Sequence, residues 1–218
     1  MSRRALLQYL ELLKQSGVQQ LFLPATALPD PAEKKATLAR LAQSYSNCQK
    51  CPLAAGRINL VYGEGNPDAC TMLIGEGPGD NENKTGHPFV GPAGQLLDKM
   101  LAAIQINRAD IYITNIVKCR PPQNRNPMSE ERLACMPYLI EQIQIIQPQI
   151  LLIMGLVAAQ SLLGTTASLS WHRQKQHEFL GIPAFVTYHP AALLRNPHWK
   201  RPAWDDLQAF QKYYQQLC

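Results

Sequence analysis

The chain has 218 residues, of which 46% are hydrophobic and 17% are charged. This length suits one ordinary domain with a real core, and the composition favours a compact fold over a disordered chain. No apolar run approaches the ~20 residues that a membrane helix needs, and the first residues are too polar for a signal peptide. We therefore expect a cytoplasmic protein without a membrane segment. The net charge of +5 is compatible with a polyanionic partner but does not require one.

The first forty residues are predicted to stand apart from the rest of the chain. Apolar residues recur at helical spacing between Arg3 and Gln15, and Gly17 follows as a helix-ending glycine. The next stretch, LFLPATALPDPAEKK, holds three prolines and is typical of a linker. We predict an N-terminal helix and a Pro-rich linker over residues 1–40, and a main domain over residues 41–218. The chain is expected to be a monomer whose N-terminal helix is a candidate contact for an unidentified protein.

From about residue 40 onwards, strand-like and helix-like segments alternate. Four short apolar runs predict buried strands: residues 71–75, 111–115, 150–155 and 183–188. Three helical patterns separate them and a fourth closes the chain: residues 93–104, 129–146, 156–163 and 204–217. Such alternation predicts an α/β fold with three layers, α/β/α, around a short central parallel sheet of four strands.

Several polar side chains follow the predicted strands at their carboxyl ends. The first strand ends in Gly75-Glu76-Gly77, the second in Asn115 and the fourth in His189-Pro190. Ligands of parallel sheets bind in the crevice beyond these strand ends. The sequence therefore predicts that a glycine loop, an amide and an imidazole meet at one crevice. The ordinary alternative for His189 is a histidine hydrogen-bonded in the core, and the other four histidines are predicted to lie on the surface.

The segment Gly75–Gly91, GEGPGDNENKTGHPFVG, holds five glycines and is predicted to be a binding loop. It is neither a P-loop nor a dinucleotide fingerprint, because the glycines have the wrong spacing and Asp80 occupies a position that needs glycine. A long surface connection of the Ω type is the simpler alternative. We favour a binding loop because Phe89 supplies an apolar anchor near its end, directed towards the crevice.

The cysteines favour metal ligation or buried thiols over disulfides, since the chain has no secretory signal. Cys48 and Cys51 form a C-x-x-C pair, while Cys119 and Cys135 lie within and after the basic loop KCRPPQNRNP. Four thiolates suit either tetrahedral zinc or an iron–sulfur cluster, and the spacing does not separate these. The two other cysteines are predicted to be a buried thiol and a frayed terminal one: Cys70 and Cys218.

Taken together, these segments resemble the family 4 uracil-DNA glycosylases, the iron–sulfur type. The matching segments are CQKCPL (48–53), GEGPGDNENKTGHPFVGPAGQLLD (75–98), YITNIVKCRPPQNRNP (112–127), Cys135 and HPAALLR (189–195). The resemblance implies the uracil-DNA glycosylase-like fold and a DNA repair hydrolase of the base excision pathway. Its substrate would be uracil-containing DNA, single- or double-stranded. The alternatives are a non-enzymatic iron–sulfur nucleic-acid-binding module and a redox carrier, although the carrier leaves the crevice unexplained.

The resemblance also implies which residues form each site. A [4Fe–4S] cluster would be held by four cysteines: Cys48, Cys51, Cys119 and Cys135. A uracil pocket would be formed by six residues: Gly75, Glu76, Gly77, Phe89, Asn115 and His189. In that pocket Phe89 would stack on the base, Asn115 would bind its polar edge, and His189 would stabilise the departing uracil anion.

Three residues are candidate catalytic groups: His189, Glu76 and Glu82. The family 1 enzymes carry a water-activating aspartate at the position of Gly77, so another group must position the water here. We take Glu82 as the hypothesis because it lies in the same loop. The segment Glu76–Gly77 is assigned to excluding the methyl group of thymine.

The predicted contacts with DNA are basic and apolar side chains near the crevice. Four basic residues are candidates to meet phosphates, although each is equally explained as a solvated side chain: Lys118, Arg120, Arg125 and Arg195. The pair Leu193-Leu194 is a candidate wedge that fills the gap left by a flipped base, against the alternative of packing within the fold.

Overall fold

The computed structural model describes residues 30–218, together with residues 8, 9, 11, 12 and 14–16. Residues 8, 9, 11, 12, 14 and 15 are helical, in agreement with the predicted N-terminal helix. This segment contacts the main domain, because Gln144 Nε2 donates to Tyr9 Oη at 2.8 Å and Gln8 Nε2 donates to the carbonyl of Leu162 at 3.3 Å. Most of the predicted linker lies outside the described residues, and a protein partner for the helix stays a prediction.

The first helix described in full, α1, spans Pro31–Ser44. Asp30 caps its N-terminus by accepting the N–H of Glu33 at 2.8 Å, and Pro31 suits the first turn because no N–H is needed there. Lys34 pairs with Asp68 at 2.6 Å. Residues 31–35 are therefore helical, and their assignment to a linker was wrong. The helix also crosses the predicted boundary between residues 40 and 41.

The sheet has six strands in the order β1-β3-β2-β4-β6-β5. Their bounds are β1 Glu64–Gly65, β2 Thr71–Gly75, β3 Tyr112–Asn115, β4 Ile150–Met154, β5 His177–Phe179 and β6 Ile182–Thr187. The four central strands are parallel, as predicted. Both edge strands are antiparallel and were missed, because two or three residues carry too little pattern to be recognised.

Seven further α-helices follow α1. They are α2 Asp80–Thr85, α3 Pro92–Ala103, α4 Ser129–Ile146, α5 Leu156–Leu163, α6 Leu169–Arg173, α7 Pro190–Arg195 and α8 Lys200–Leu217. Short 3₁₀ turns lie at Pro52–Gly56, Arg108–Asp110, Pro122–Asn124 and Pro197–Trp199. The four predicted helices are confirmed to within a few residues. Helix α2 lies inside the predicted glycine loop and was not expected.

Hydrophobic clusters cover both faces of the sheet, which confirms the three-layer fold. Successive residues of a strand point to opposite faces, so Met72 and Leu73 of β2 belong to different clusters. The cluster with Met72 includes Leu139 of α4, and the cluster with Leu73 includes Phe210 of α8. Of the helices that the structure describes, none combines the length and apolarity needed to cross a membrane.

Cys70 and Cys218 form a disulfide, so the expectation of two free thiols was wrong. Helix α8 returns the C-terminus to the start of β2, where Cys70 lies next to the strand. A separation of 148 residues leaves no local signal of this pairing in the sequence.

Candidate active site and cysteine cavity

Three of the predicted site residues meet at the carboxyl end of the parallel sheet. Asn115 ends β3 and is paired with Gly75 at the end of β2, while His189 follows β6 by two residues. The ring of Phe89 lies with its centroid 5.5 Å from that of His189, at an interplanar angle of 32°. A Cβ atom on Gly75 would overlap Asn115 Oδ1 and lie 2.6 Å from Phe89 Cζ. Phe89, Asn115 and His189 therefore lie together at this edge of the sheet, beside a Gly75 that leaves no room for a side chain. We call this part of the edge the crevice.

The floor of the crevice is an extension of the β2–β3 pairing. Beyond the strand ends, the N–H of Ile116 donates to Gly75 O at 3.0 Å and the N–H of Val117 donates to Glu76 O at 3.2 Å. A Cβ atom on Gly77 would lie 2.8 Å from Val117 Cγ2, so this backbone lies directly on the neighbouring side chain. The segment Gly75–Gly77 is thereby hydrogen-bonded to the neighbouring chain beyond the ends of both strands.

Two buried polar atoms of the crevice have no partner among the residues described. Asn115 Oδ1 and His189 Nε2 are both inaccessible to solvent and unbonded. An unsatisfied buried polar atom costs roughly 1–3 kcal/mol, so native structures retain few of them without a functional reason. These two atoms are therefore candidate hydrogen-bonding groups for a ligand.

The hydrogen bond made by the other ring nitrogen of His189 indicates which nitrogen carries the proton. His189 is the N-cap of α7, and its Nδ1 accepts the N–H of Ala191 at 3.2 Å. A neutral ring that accepts at Nδ1 carries its hydrogen on Nε2. Burial lowers the pKa of His189 to about 4, with the charge of Arg195 acting in the same direction and Glu82 opposing it. The imidazole is therefore neutral at pH 7 and presents an N–H donor to the crevice.

The four cysteines that were predicted as metal ligands line a cavity. Cys48, Cys51, Cys119 and Cys135 all border it, although they come from three separate segments of the chain. Within the part of the chain that the structure describes, no group of three or more His, Cys, Asp or Glu side chains is arranged to hold a metal ion. The thiols therefore share a cavity without converging on a point. We call it the cysteine cavity.

Three of the four sulfur atoms already receive hydrogen bonds. The backbone N–H groups of Lys50 and Lys118 donate to Cys48 Sγ at 3.5 Å and to Cys135 Sγ at 3.3 Å. Arg57 Nη1 donates to Cys119 Sγ at 3.5 Å. Such donors stabilise thiolate charge, which suits sulfur ligands of a metal. Arg57 was missed from the sequence, because 62 residues separate it from Cys119.

Comparison with known proteins shows the family to which this chain belongs. The family model of the uracil DNA glycosylase superfamily matches residues 62–217. Type-4 uracil-DNA glycosylases from Pyrobaculum aerophilum and Thermotoga maritima are each 44% identical to this chain. The first alignment covers 79% of the chain and 92% of the relative, and the second covers 72% and 82%. The type-4 uracil-DNA glycosylase of Sulfurisphaera tokodaii is 40% identical over 81% of the chain and 84% of its own length.

The chain belongs to the type-4 uracil-DNA glycosylases. Its membership confirms the resemblance inferred from the five sequence motifs and the fold class that went with it.

In this glycosylase chain, the carboxylate of Glu82 is hydrogen-bonded to backbone N–H groups of its own loop. Its carboxylate accepts the N–H groups of Gly79 at 3.0 Å, Val90 at 2.9 Å and Gly91 at 2.8 Å, and the residue is buried. Both oxygens thus link the beginning of the loop to its end. These contacts give Glu82 a role in closing the loop. Its role in positioning water stays a prediction.

Glu76 differs from Glu82 in its surroundings. Burial raises the pKa of its carboxyl group, and the positive charges of Arg132 and Arg195 partly offset that effect. Glu76 directly follows the crevice glycine Gly75. It is a largely buried acidic group whose charge is stabilised by Arg132 and Arg195.

Three of the predicted phosphate contacts are engaged within the protein. Arg120 is paired with Asp80, and Arg125 forms two bonds to the buried carboxylate of Glu131, at 2.8 and 2.7 Å. Lys118 is fully buried, so the prediction that it lines the crevice mouth was wrong.

The Lys118 ammonium belongs to a hydrogen-bond network under the crevice. It donates to the carbonyl of Asn115 at 2.9 Å and to Gln142 Oε1 at 2.6 Å. Burial lowers the pKa of this ammonium to about 7, while Cys135 opposes the shift. Lys118 therefore stabilises the backbone of Asn115 by binding its carbonyl oxygen.

Helix α7 presents the two other predicted DNA contacts. Arg195 is exposed and forms no ion pair with any described residue. Leu194 is 46% exposed, whereas Leu193 is buried in the core. Of the predicted leucine pair, only Leu194 is placed to reach a nucleic acid.

Proposed function

We propose that this chain excises uracil from DNA by hydrolysing the N-glycosidic bond, which leaves an abasic site. The observation that carries the proposal is the pair of unbonded buried atoms, Asn115 Oδ1 and His189 Nε2, beside the ring of Phe89. A flat base stacked on Phe89 would satisfy both. The Asn115 amide can accept from uracil N3–H and donate to O4, and His189 Nε2–H can donate to O2.

This pattern discriminates against cytosine, because cytosine presents a donor and an acceptor in the reverse order. A site with buried polar groups rejects a mispaired ligand by about 10⁴-fold or more. Thymine has the same polar edge as uracil and differs by one methyl group. We assign its exclusion to the backbone of Glu76–Gly77, which Val117 supports from behind.

The base must leave the duplex before it can enter the crevice. Unstacking costs a few kcal/mol, and stacking on an aromatic ring returns about 1–3 kcal/mol. Two exposed residues of α7 are suited to contact the DNA while the base leaves the duplex. Leu194 can act as an apolar wedge, and Arg195 can act as a cation near the phosphates.

Bond cleavage moves the C1′–N1 electron pair onto uracil and leaves positive charge on the sugar, where water then adds. Neutral His189 stabilises the departing anion by donating Nε2–H to O2, and one such preorganised donor is worth on the order of 10²–10³ in rate. Since Gly77 replaces the family 1 aspartate and Glu82 is bound to backbone, stabilisation of the leaving group carries the chemistry.

The cysteine cavity fits a [4Fe–4S] cluster. Four soft thiolates around one cavity match the ligand set of such clusters, which take one thiolate on each iron. When bound, the cluster supplies cross-links between the segment of Cys48 and Cys51, the loop of Cys119, and α4 with Cys135. We propose a structural role for it, in fixing the loop KCRPPQNRNP. Iron and sulfide analysis of the purified protein tests this, and zinc in place of iron would overturn it.

The test of function is excision from an oligonucleotide with a single uracil, detected by alkaline cleavage at the abasic site. Parallel substrates carry cytosine or thymine at the same position. We expect cleavage only with uracil, and none with the double variant Asn115→Ala/His189→Ala, which controls for contaminating enzymes. DNA binding without any excision would overturn the proposal and favour a non-enzymatic binding module.

A further inference from the structure

Phe89 has a backbone conformation that its own side chain disfavours. Its φ of 53° lies in the left-handed region, which a bulky residue other than glycine rarely adopts. Strain of this kind persists only where the surroundings impose it, and it concentrates at functional sites. The contacts on both sides of Phe89 therefore decide where its ring lies.

The N–H groups after Phe89 are held by Glu82, as described above, and the carbonyls around Phe89 are held by Arg108. Arg108 Nη2 donates to Pro88 O at 2.7 Å, and Nη1 donates to Phe89 O at 3.3 Å. One planar guanidinium thus binds two successive carbonyls through two different nitrogens, with a fixed fork geometry that lysine lacks.

Acidic residues on two other elements orient the guanidinium of Arg108. Nη1 donates to Asp98 of α3 at 2.9 Å, and Nη2 lies 3.4 Å from Glu64 Oε1 of β1. Partly exposed ion pairs like these add little to stability. Their effect is to fix the orientation of the guanidinium towards the two carbonyls.

The space around the Phe89 carbonyl is equally restricted. A Cβ atom on Gly94, in α3, would overlap the carbonyl of Phe89. The carbonyl can therefore occupy its position only because residue 94 is glycine. Arg108 and Gly94 together hold the peptide group after Phe89 in one orientation.

We propose that Arg108 is a positioning residue for uracil recognition, which acts by locking Phe89 in its left-handed conformation and so presenting the ring to the base. This inference rests on the proposed function. Without the Arg108 donors, Phe89 relaxes towards ordinary backbone angles and its ring leaves the wall of the crevice. The uracil then loses its stacking surface, while Asn115 and His189 keep their places.

The test compares Arg108→Met, Arg108→Lys and the control Arg201→Met, which alters an exposed arginine of α8. We expect Arg108→Met to raise KM for single-stranded uracil DNA about tenfold, with little change in kcat, because stacking acts equally on substrate and transition state. Arg108→Lys should recover part of the loss, and Arg201→Met should show none. A fall in kcat with unchanged KM would overturn the inference.

A second measurement follows the loop without relying on catalysis. Hydrogen–deuterium exchange of the peptide that contains Val90 and Gly91 should quicken in Arg108→Met and stay unchanged in Arg201→Met. Unchanged exchange in Arg108→Met would overturn the inference even if the enzyme excises uracil normally. Failure of the wild type to excise uracil would overturn the proposed function, while the exchange measurement still decides whether Arg108 holds the loop.

A double-mutant cycle separates action through Phe89 from general damage. In a Phe89→Ala background, the added change Arg108→Met should leave KM unaltered, because the ring that it positions is already gone. Additive losses would show that Arg108 acts by another route and would overturn the inference.

Discussion

One short stretch of chain connects the crevice to the cysteine cavity, yet the polar atoms of the two regions differ in their hydrogen bonding. Asn115 ends β3 at the crevice, and Cys119 borders the cysteine cavity four residues later. In the crevice, buried atoms of Asn115 and His189 have no partner within the described structure, whereas three cysteine sulfurs already receive N–H donors. This difference is what we expect if the crevice binds a transient ligand and the cysteine cavity holds a permanent group, as proposed above.

Under the proposed function, the two unbonded buried atoms of the crevice lower the stability of the free protein and contribute to binding of the base. Each unsatisfied buried group costs roughly 1–3 kcal/mol in the free protein, and that cost is removed when a base supplies the missing bond. Removing such a group should therefore harm activity much more than stability. The reverse should hold for residues that complete the loop or the cysteine cavity.

The largest expected effect is that of Asn115→Ala. We expect kcat/KM for uracil excision to fall by about 10⁴-fold, because the polar edge of the base loses its partner. The melting temperature should not fall, since the lost Oδ1 was unbonded in the described structure. Single-turnover excision and thermal unfolding check the two halves. A variant that melts much earlier would contradict the contrast drawn above.

The variant His189→Asn should lower the excision rate on the order of 10²–10³-fold, since it removes the donor to the leaving group while keeping an N-cap side chain. The wild-type rate should show no inflection near pH 6.5 from this residue, because its pKa is lowered to about 4. A rate that rises as pH falls through 6.5, and does so only when His189 is present, would show that the imidazolium is the active form.

The same pKa predicts a pH dependence of stability. The unfolded chain binds a proton at His189 near pH 6.5, and the folded protein only near pH 4. The free energy of unfolding should therefore fall as pH drops from about 6.5 to about 4, by on the order of 3 kcal/mol. His189→Asn should lose this part of the dependence. Denaturant unfolding of both proteins at several pH values measures it.

The two glutamates of the glycine loop should respond oppositely to conversion into glutamine. Glu82→Gln replaces one acceptor oxygen by an amide that faces backbone N–H groups, so we expect a loss of about 2 kcal/mol in unfolding free energy. Glu76→Gln, at a group whose pKa is already raised by burial, should leave stability nearly unchanged. Urea denaturation compares them, and equal losses would mean that Glu82 does not close the loop.

At the cysteine cavity, Arg57→Met should weaken metal retention about tenfold, the usual cost of losing a hydrogen bond to a metal ligand. Iron release to a chelator, followed by absorbance, measures this. Arg40→Met serves as the control, because Arg40 is exposed on α1 and contacts no cysteine sulfur among the described residues. Similar rates of iron release from both variants would show that Arg57 does not contribute to metal retention.

The smallest effect is expected for Leu194→Ala. Loss of an exposed apolar wedge should reduce excision a few-fold on double-stranded DNA and leave single-stranded DNA almost unaffected. Excision rates measured in parallel on double-stranded and single-stranded DNA test this prediction. Equal losses on both would mean that Leu194 contacts the substrate without acting as a wedge.

The elements with a clear pattern of apolar residues were predicted from the sequence, as were the residues at their ends. The central strands are short buried apolar runs, and parallel topology brings Asn115 and His189 to one edge, so the crevice followed from pattern alone. The role of Glu82 did not, because the same carboxylate in the same loop can face either solvent or backbone N–H groups. Only the folded loop, with α2 inside it, decides between them.

Long-range contacts between isolated side chains account for most of what could not be predicted. Lys118 looked like part of a basic surface, and its burial depends on Gln142 of α4, 24 residues away. Arg108 contacts a loop 19 and 20 residues earlier in the chain. No periodic pattern records such pairs.

The disulfide between Cys70 and Cys218 has a topological consequence. It closes the chain from the start of β2 to the C-terminus into a covalent ring, with Phe89, Asn115 and His189 all inside it. A protease that cuts any single loop within this ring leaves both fragments tethered. Of the residues at the cysteine cavity, Cys48, Cys51 and Arg57 lie outside it.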